Sequence, residues 1–450
     1  MSTNRKLNLN AFLMEAGHHE AAWRLPESNA HADFDLKHWI NLAKVAEAAK
    51  FDSLFLADGP VLWRSGAFRP PGQLEPITLL TALAGVTDHI GLIATASTTY
   101  NSPYNLARKF ATLDHLSGGR AGWNIVTSAD SETAGNFGLD ERPDHAARYD
   151  RATEFVDVVS KLWDSWEEEA HLGDKEGGRY ADTSRIHDIN HVGKHFKVSG
   201  ALNVERSPQG RPLLVQAGSS ENGKNFAARY AEAIFTAHQT YESAAAFYAD
   251  IKARAVAAGR DPETVKVLPG IVPVIGATEE EAFALAQRLD DLRIPEFGLQ
   301  QLSSILEVPT SAFDLDGPLP AEVLARPVLE GARSRSDLVI DLATSENLTV
   351  RQVLSRLGGG RGHFVQVGTP EQIADTIIHW FENGAADGFN IMAPVLPSGL
   401  ETFAATVIPI LQERGYFHTE YEGETLRDHY GAERPVSQYA PAAELATSSV

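Results

Sequence analysis

The sequence contains no cysteine in its 450 residues. This absence excludes disulfide bonds, thiolate metal sites and cysteine nucleophiles, so any chemistry must use other side chains. Positive charge is also scarce, because 39 lysines and arginines face 60 aspartates and glutamates, which gives a formal net charge of -21. Phosphate backbones and anionic lipid surfaces repel such a chain, and we therefore expect neither nucleic acid nor membrane partners.

Long apolar runs are missing as well. Near the start of the chain, Asn8 and Asn10 interrupt the leucines, and no later stretch reaches the length that a membrane-spanning helix needs. The expectation is a soluble cytoplasmic protein. What the chain does have is 43% hydrophobic residues, which is enough to form the large core of a globular protein.

Short β-rich runs alternate with long amphipathic segments, a pattern typical of repeated βα units. The runs that indicate strands are 7–13, 53–57, 90–97, 121–127, 212–217, 233–236, 265–275 and 388–392. Eight parallel strands, each followed by a helix, predict a closed (β/α)8 TIM barrel of the α/β class, because right-handed crossovers carry the chain around one axis.

Two stretches do not fit this repeat, and we interpret both as insertions in βα loops. Residues 167–207 are polar and rich in Gly, Asp and His, whereas 293–346 carry several prolines. Loops of this length in a compact domain usually form lids or binding segments, and 293–346 is the predicted lid. We expect residues 1–437 to form a single domain, followed by a disordered tail at 438–450.

Polar residues collect where the predicted strands end, which is where a barrel places its active site. His18 follows the first strand, Asp58 follows the second, Thr95 lies in the third and Asn124 in the fourth. A buried amide such as that of Asn124 needs hydrogen-bond partners, which either a ligand or an adjacent strand can supply. Both interpretations are open at this point.

Ser219 and Ser220 stand between the fifth strand and the next helix, within GSSENGKN from Gly218 to Asn225. The N–H groups at a helix start and two hydroxyls can hold a phosphate, and the same serines can simply cap the helix. The segment also approaches a P-loop pattern. However, Asn225 stands where an NTPase needs Ser or Thr for Mg2+, so an NTPase is a low-ranked alternative.

His187, His191 and His195 recur every four residues, which on a helix would put three imidazoles on one face, as in a metal site. Gly193 argues against a helix there, and we predict no metal site. No G-x-G-x-x-G motif follows a strand, so nothing indicates that the chain binds a nicotinamide cofactor.

Several longer segments resemble one family when they are taken in order. They are FDSLFLAD (51–58), SPYNLARKFATLDHLSGGRAGWNIVTS (102–128), DHAARYDRATEF (144–155), PLLVQAGSS (212–220), GTPEQIAD (368–375) and RGYFHTEYEGETLRDH (414–429). They resemble the nitrilotriacetate monooxygenase component A family of the bacterial luciferase-like superfamily, which includes dibenzothiophene sulfone, pristinamycin IIA synthase and EDTA monooxygenases. The resemblance runs nearly end to end.

This resemblance implies the oxygenase component of a two-component flavin monooxygenase. Such an enzyme takes FMN as FMNH2 from a separate NAD(P)H:FMN reductase and oxidises a small organic substrate with O2 through a C4a-hydroperoxyflavin. Asp58 and Thr95 would lie beside the isoalloxazine and ribityl chain, and Asn124 would contact the flavin. The implied phosphate-binding residues are His145, Tyr149, Ser219 and Ser220.

For acid or base chemistry we consider His18 first and His363 second, because an imidazole gains or loses a proton near neutral pH. A structural role is open for each. The alternatives from other classes are a deazaflavin-dependent oxidoreductase on the same barrel, a metal-dependent barrel hydrolase and a non-catalytic flavin carrier. We also expect a homodimer or homotetramer, because residues 415–430 lie beyond the last barrel helix yet match the family closely. Loop residues choose the substrate, and the sequence does not name it.

Overall fold

Eight parallel strands close into a barrel in the computed structural model, which describes residues 5–440 except 63–66, 129–130, 141–143, 326–334, 358 and 361. The barrel strands are β1 (Asn8–Phe12), β2 (Ser53–Leu56), β3 (Gly91–Ser97), β4 (Ala121–Val126), β5 (Leu213–Gln216), β6 (Ala233–Thr236), β7 (Lys266–Ile275) and β8 (Gly388–Ile391). Parallel pairing of β8 with β1 closes the ring. The predicted fold and the positions of its eight strands are thereby confirmed.

Helices cover the outside of this barrel. The first six are α1 (Leu36–Ala48), α2 (Pro76–Ala84), α3 (Pro103–Ser117), α4 (His145–Trp163), α5 (Glu221–Tyr230) and α6 (Tyr241–Ala257). The later ones are Glu279–Asp291, Pro370–Glu382, Ser398–Thr402 and Ile408–Glu413. In α1 the buried face consists of Trp39, Leu42, Ala43 and Ala46, spaced by three or four residues, and Asp35 caps the first turn by accepting from the Lys37 amide.

A further strand, Phe364–Gly368, lies beside the barrel and was not predicted from the sequence. It pairs in parallel with the second half of β7, where Ile271 is opposite Phe364, while the first half of β7 pairs with β6 and β8. The five-residue run is largely half-exposed and follows a glycine-rich stretch, so neither its length nor its periodicity indicated a strand. It directly follows His363.

The 167–207 segment forms two small antiparallel hairpins. They pair His171–Asp174 with Arg179–Ala181 and His191–Val192 with Lys197–Val198. The three regularly spaced histidines bind three different carboxylates: His187 with Glu167 at 2.7 Å, His191 with Glu154 at 2.9 Å and His195 with Asp150 at 2.7 Å. Within the described part of the chain, no group of three or more possible ligands gathers around one point.

The 293–346 segment is largely helical where the structure describes it. Its helices and the one that follows are Pro295–Leu306, Ala321–Leu324, Arg335–Ser345 and Val350–Leu357. They share an apolar cluster of their own, in which Leu302, Val323, Ile340 and Val353 are buried. We call residues 293–357 the helical insertion.

Residues 415–430 close the amino-terminal end of the barrel. Leu426 packs against Gly91 of β3 and Gly122 of β4, where an added Cβ would lie 2.3 Å and 3.1 Å from its methyl carbons. Tyr430 is buried inside the barrel, and its hydroxyl donates to Asn10 Oδ1 at 2.7 Å. This segment therefore has an intramolecular role, and its match to the family is no longer a reason to expect oligomers. The homo-oligomer stays a prediction.

The predicted disordered tail begins at Gln438. The Gln438 amide donates to Asp164 at 3.1 Å, and the Tyr439 ring stacks on His187 with centroids 4.0 Å apart. The remainder of that tail, 441–450, lies outside the described residues. None of the helices that the structure describes is long and apolar enough to cross a membrane.

Removing the Tyr430 hydroxyl tests whether residues 415–430 stabilise the amino-terminal end of the barrel. Tyr430→Phe leaves the packing intact and removes one of the two hydrogen bonds to Asn10 Oδ1, which still accepts from Ser53. The free energy of unfolding should therefore fall by about 0.5 to 1.5 kcal/mol in urea titrations. Tyr180→Phe is the matched control, because Tyr180 is 73% exposed. Equal effects of the two substitutions would show that the buried bond contributes nothing specific.

Candidate active site

Three phenylalanines fill the barrel axis near the carboxyl ends of the strands. Phe12 of β1 lies 4.9 Å from Phe55 of β2 and 5.4 Å from Phe235 of β6, measured between ring centroids, and Phe55 lies 5.5 Å from Phe235. Alternate residues of each strand point inward, and these rings meet there. We call Phe12, Phe55 and Phe235 the aromatic floor of the barrel mouth.

The two candidate acid/base histidines both contact this floor. His18 is completely buried, its ring meets Phe12 edge-on at 4.6 Å, and its Nε2 donates to the Phe12 carbonyl at 2.8 Å. Because a carbonyl can only accept, Nε2 of His18 carries a hydrogen. His363 stacks on Phe235 with centroids 5.0 Å apart and planes 6° apart. Two separate loops thus bring these histidines to one surface.

Thr95 and Asn124 face each other across β3 and β4. They are paired in register, and Asn124 Nδ2 donates to Thr95 Oγ1 at 2.8 Å. The amide therefore does tie the two strands together. Its Oδ1, however, is buried and has no hydrogen-bond partner among the described residues, a state that costs about 1 to 3 kcal/mol.

Asn10, a second asparagine whose side chain points into the barrel, forms hydrogen bonds at both ends of its amide. Asn10 Oδ1 accepts from Ser53 and Tyr430, both at 2.7 Å, and its Nδ2 donates to Asn390 at 3.2 Å. The barrel thus satisfies both ends of this amide but only one end of Asn124. The unpaired Asn124 oxygen marks a position where a ligand donor is expected.

Four of the predicted phosphate residues lie around the turn between β5 and α5. Ser220 caps α5, since its Oγ accepts from the Gly223 amide at 3.1 Å, and the same oxygen lies 3.2 Å from His145 Nε2. The His145 and Tyr149 rings are 4.9 Å apart. Ser219 is exposed in the same turn. The capping interpretation of Ser220 is correct, and it coexists with the contact to His145.

Two glycines let the Tyr149 hydroxyl enter this turn. An added Cβ at Gly218 or Gly223 would lie 3.0 Å or 2.9 Å from Tyr149 Oη, closer than such atoms normally approach. The turn therefore gathers a phenol, an imidazole, a hydroxyl and the amino-terminal amides of a ten-residue helix. Such donors bind anions, and a phosphate in particular. We call 218–223 the anion turn.

Asp58 lies just beyond the end of β2, the neighbour of the strand that carries Thr95. Burial, followed by the negative charge of Glu75, raises the pKa of Asp58 to about 6. Gln73 lies beside it and donates to the Ala57 carbonyl at 2.6 Å. At neutral pH a fraction of Asp58 keeps its proton, so this carboxyl can donate as well as accept a hydrogen bond.

Sequence reasoning missed several residues of the mouth. Asn222 Nδ2 lies 3.1 Å from His145 Nδ1, and Ser128 Oγ donates to Ser97 Oγ at 2.7 Å, close to the Thr95–Asn124 pair. Asn222 lies in the segment 218–225, which was selected from the sequence for its serines. Its place in that segment was the one feature of the sequence that could have indicated it. Ser128 has φ of 33°, a conformation that the sequence does not reveal.

A family model described as luciferase-like monooxygenase matches residues 14–387. The chain belongs to the luciferase-like monooxygenase family. The match includes most of the mouth: Phe55 and Phe235 of the floor, the Thr95–Asn124 pair, the anion turn and His363. The predicted resemblance and the predicted enzyme class, a flavin-dependent monooxygenase, are thereby confirmed.

Several relatives within this family are similar over nearly the whole chain. N-acetyl-S-(2-succino)cysteine monooxygenase of Bacillus subtilis (strain 168) is 50% identical over 98% of this chain and 99% of its own. Nitrilotriacetate monooxygenase component A of Aminobacter aminovorans is 48% identical over 98% and 99%. The crystal structure of riboflavin lyase with modified FMN and riboflavin has a TM-score of 0.84 and 33% identity, covering 96% of this chain and 97% of that one.

The raised pKa of Asp58 predicts a specific pH dependence of stability. Below about pH 4 the carboxyl is protonated in both folded and unfolded chains. Between about pH 4 and 6 the unfolded chain loses its proton first, so the parent protein should lose up to about 3 kcal/mol relative to Asp58→Asn. Urea titrations of both proteins from pH 4 to 7 measure this difference. If the parent protein instead loses stability relative to Asp58→Asn as the pH falls, the pKa of Asp58 is not raised in the folded protein.

Proposed function

We propose that this monooxygenase is an oxygenase component that binds FMNH2 supplied by a separate NAD(P)H:FMN reductase. The observation that carries the proposal is the pairing of two features at one barrel mouth: an unsatisfied Asn124 oxygen and an anion turn. A flavin mononucleotide has hydrogen-bond donors on its ring system and hydroxyl chain, and a phosphate at its far end.

The residues of the mouth fit this group. Asn124 Oδ1 would accept a hydrogen bond from the flavin, and Thr95 holds the Asn124 amide in place. Ser220, His145, Tyr149 and the first amides of α5 would hold the phosphate. Two relatives carry names that denote one part of a larger system: nitrilotriacetate monooxygenase is named as a component, and pristinamycin IIA synthase is named as two subunits. These names support a separate reductase as the source of electrons.

Bound reduced FMN supplies the two electrons with which O2 is activated. The chain's own residues then have three tasks. The aromatic floor gives one side of the mouth an apolar surface that offers water no hydrogen-bond partner. His18 and His363 stand on that floor, where a neutral imidazole can accept a proton or a protonated one can donate it. The helical insertion would limit the access of water to the mouth, because water in a reaction centre promotes side reactions of reactive species.

The substrate we propose is a small organic molecule, and carboxylated thioethers and amines are the first class to test. The two relatives described above are named for N-acetyl-S-(2-succino)cysteine and nitrilotriacetate. We call residues 13–35, between β1 and α1, the first loop. A cleft beside it is lined by Met14, Glu15, Glu20, Trp23 and Arg69. Its Arg69 guanidinium offers the charge and fork geometry that pair with a carboxylate.

Anaerobic titration followed by a coupled assay tests this function. The protein should bind FMNH2 more tightly than FMN and, with O2 and a flavin reductase, should convert a member of this substrate class to an oxygenated product. The product should be scored by mass, because unproductive turnover also consumes NADH. Activity that depends on a deazaflavin, or flavin binding without any oxygenation across a broad screen, would overturn the proposal.

The double variant Ser219→Ala/Ser220→Ala tests the phosphate site. Each lost charge-assisted hydrogen bond is worth about 1.5 to 3 kcal/mol, so FMNH2 affinity should fall at least about tenfold. Reduced riboflavin lacks the phosphate and should bind the variant and the parent almost equally.

Because Ser220 also caps α5, a matched cap variant is required as the control. Thr240 caps α6 by accepting from the Ser243 amide at 3.3 Å, so Thr240→Ala should lower stability by roughly 1 kcal/mol and leave both flavins unaffected. If the serine variant weakens FMNH2 and reduced riboflavin equally, these serines do not hold the phosphate.

A further inference from the structure

A buried cluster of charges joins the first loop of the barrel to the helical insertion. Arg293 stands where the insertion begins, directly after the Glu279–Asp291 helix. Its Nε lies 3.4 Å from Glu20 Oε1, and its Nη2 lies 2.9 Å from Asp290 Oδ1. The Glu20 and Arg293 side chains are only 13% and 14% exposed. When Glu20 is neutralised, Asp290 still pairs with Arg293, whereas loss of Arg293 removes the cation that pairs with the buried Glu20 carboxylate.

The same guanidinium also reaches the far end of the insertion. Arg293 Nη1 donates to the carbonyls of Leu354 at 2.8 Å and Ser355 at 3.1 Å, in the Val350–Leu357 helix. One side chain therefore connects both ends of the insertion to the first loop. Of these contacts, the one with Glu20 crosses from the insertion to the first loop, so the insertion cannot move away from that loop without breaking it.

Glu20 connects the two loops that carry the candidate acid/base histidines. Its Oε2 accepts from the Gly359 amide at 3.1 Å, four residues before His363, and Glu20 itself follows His18 by two residues. Burial alone would raise the pKa of Glu20, but the charges of Arg293 and His19 and the Gly359 amide outweigh it and hold this pKa below its usual range. The carboxylate is thus charged at neutral pH and pairs with Arg293.

The insertion also touches the loop that follows β2, on the side of the mouth where Asp58 lies. The ring of Phe297, in the first insertion helix, is 6.4 Å from the Phe68 ring and 5.8 Å from the Arg69 guanidinium carbon. Trp23 of the first loop donates to the Phe68 carbonyl at 3.0 Å. The insertion and the two loops thus form a continuous cover on one side of the mouth.

We propose that the Glu20–Arg293 ion pair is a latch that holds the helical insertion closed over the flavin mouth, with both side chains acting as positioning residues. The proposal rests on the proposed binding of FMNH2 in this mouth. Breaking the latch lets the cover open more often, so the flavin should enter and leave faster. Association and dissociation of the flavin should accelerate together, because opening of the cover lowers the barrier to both steps. The contacts that hold the bound flavin stay in place.

Anaerobic stopped-flow mixing of FMNH2 with the parent protein, Glu20→Gln and Arg293→Leu tests this inference. In both variants the association and dissociation rate constants should each rise at least about threefold, while Kd changes by less than about twofold. Where Arg293→Leu fails to fold, Arg293→Gln replaces it, because it keeps a polar side chain but removes the charge that pairs with Glu20.

The two substitutions separate the latch from long-range electrostatics. Glu20→Gln removes a negative charge and Arg293→Leu removes a positive one, so attraction of the anionic flavin would change the association rate in opposite directions. Loss of the latch changes it in the same direction. A purely structural defect would lower stability and weaken Kd without faster association.

Glu27→Gln provides a matched control. Glu27 forms a two-pronged pair with Arg288, at 2.8 Å and 2.7 Å, between the same first loop and the same Glu279–Asp291 helix. Both side chains are about half exposed, and exposed pairs contribute little. The association and dissociation rate constants of FMNH2 with Glu27→Gln should equal those of the parent protein.

The outcomes separate the latch from the proposed function. A parent protein that binds FMNH2, together with latch variants whose rate constants are unchanged or move in opposite directions, overturns the latch alone. The latch is also overturned if Glu27→Gln accelerates flavin exchange as much as Glu20→Gln does. A parent protein that binds no FMNH2 overturns the proposed function and the latch together.

Discussion

Parallel pairing of all eight barrel strands is the constraint on which the rest of this structure depends. It brings every carboxyl end to one mouth and every amino end to the other, whatever the distance along the chain. His18, Asn124, Ser220 and His363 are far apart in sequence and still lie on loops or strands of the same rim. The crossover helices complete the barrel by covering its outer face.

The interior of the barrel is divided along its axis by the polarity of the inward side chains. At the closed end, Asn10, Ser53 and Tyr430 form a buried network in which the Asn10 amide is fully paired. The aromatic floor lies above it. Toward the mouth the Asn124 oxygen is left unpaired. A fully paired network rigidifies its surroundings, whereas an unpaired group marks a place for a ligand.

The mouth combines rigid and movable parts. Thr95, Asn124 and the anion turn belong to strands and a helix start, which fix their positions. The cover, by contrast, consists of the helical insertion, which has its own small apolar core, together with the first loop and the loop after β2. A few charged contacts hold the insertion to the first loop. Rigid elements suit the binding of a cofactor, and a separately packed cover suits its entry and exit.

Much of this protein could be predicted from local patterns. The alternation of short apolar runs with amphipathic helices predicted all eight barrel strands, because periodicity is a property of the sequence itself. Thr95, Asn124 and Ser220 were chosen as candidate site residues because they are polar groups in or after predicted strands, and their roles stay predictions. The Phe364–Gly368 strand was missed, since its edge position beside β7 gives it no clear pattern of burial.

Other features depend on residues that are distant along the chain. The sequence by itself determined the family, the barrel and the residues at strand ends, because short-range spacing and ordered motifs carry that information. Tertiary structure alone decided that Asn124 keeps an unpaired oxygen while Asn10 does not, and that residues 415–430 close the end of the barrel. It alone placed Glu20 against Arg293. Those outcomes are set by which side chains meet across 29 to 420 positions of sequence separation, and no local pattern encodes such contacts.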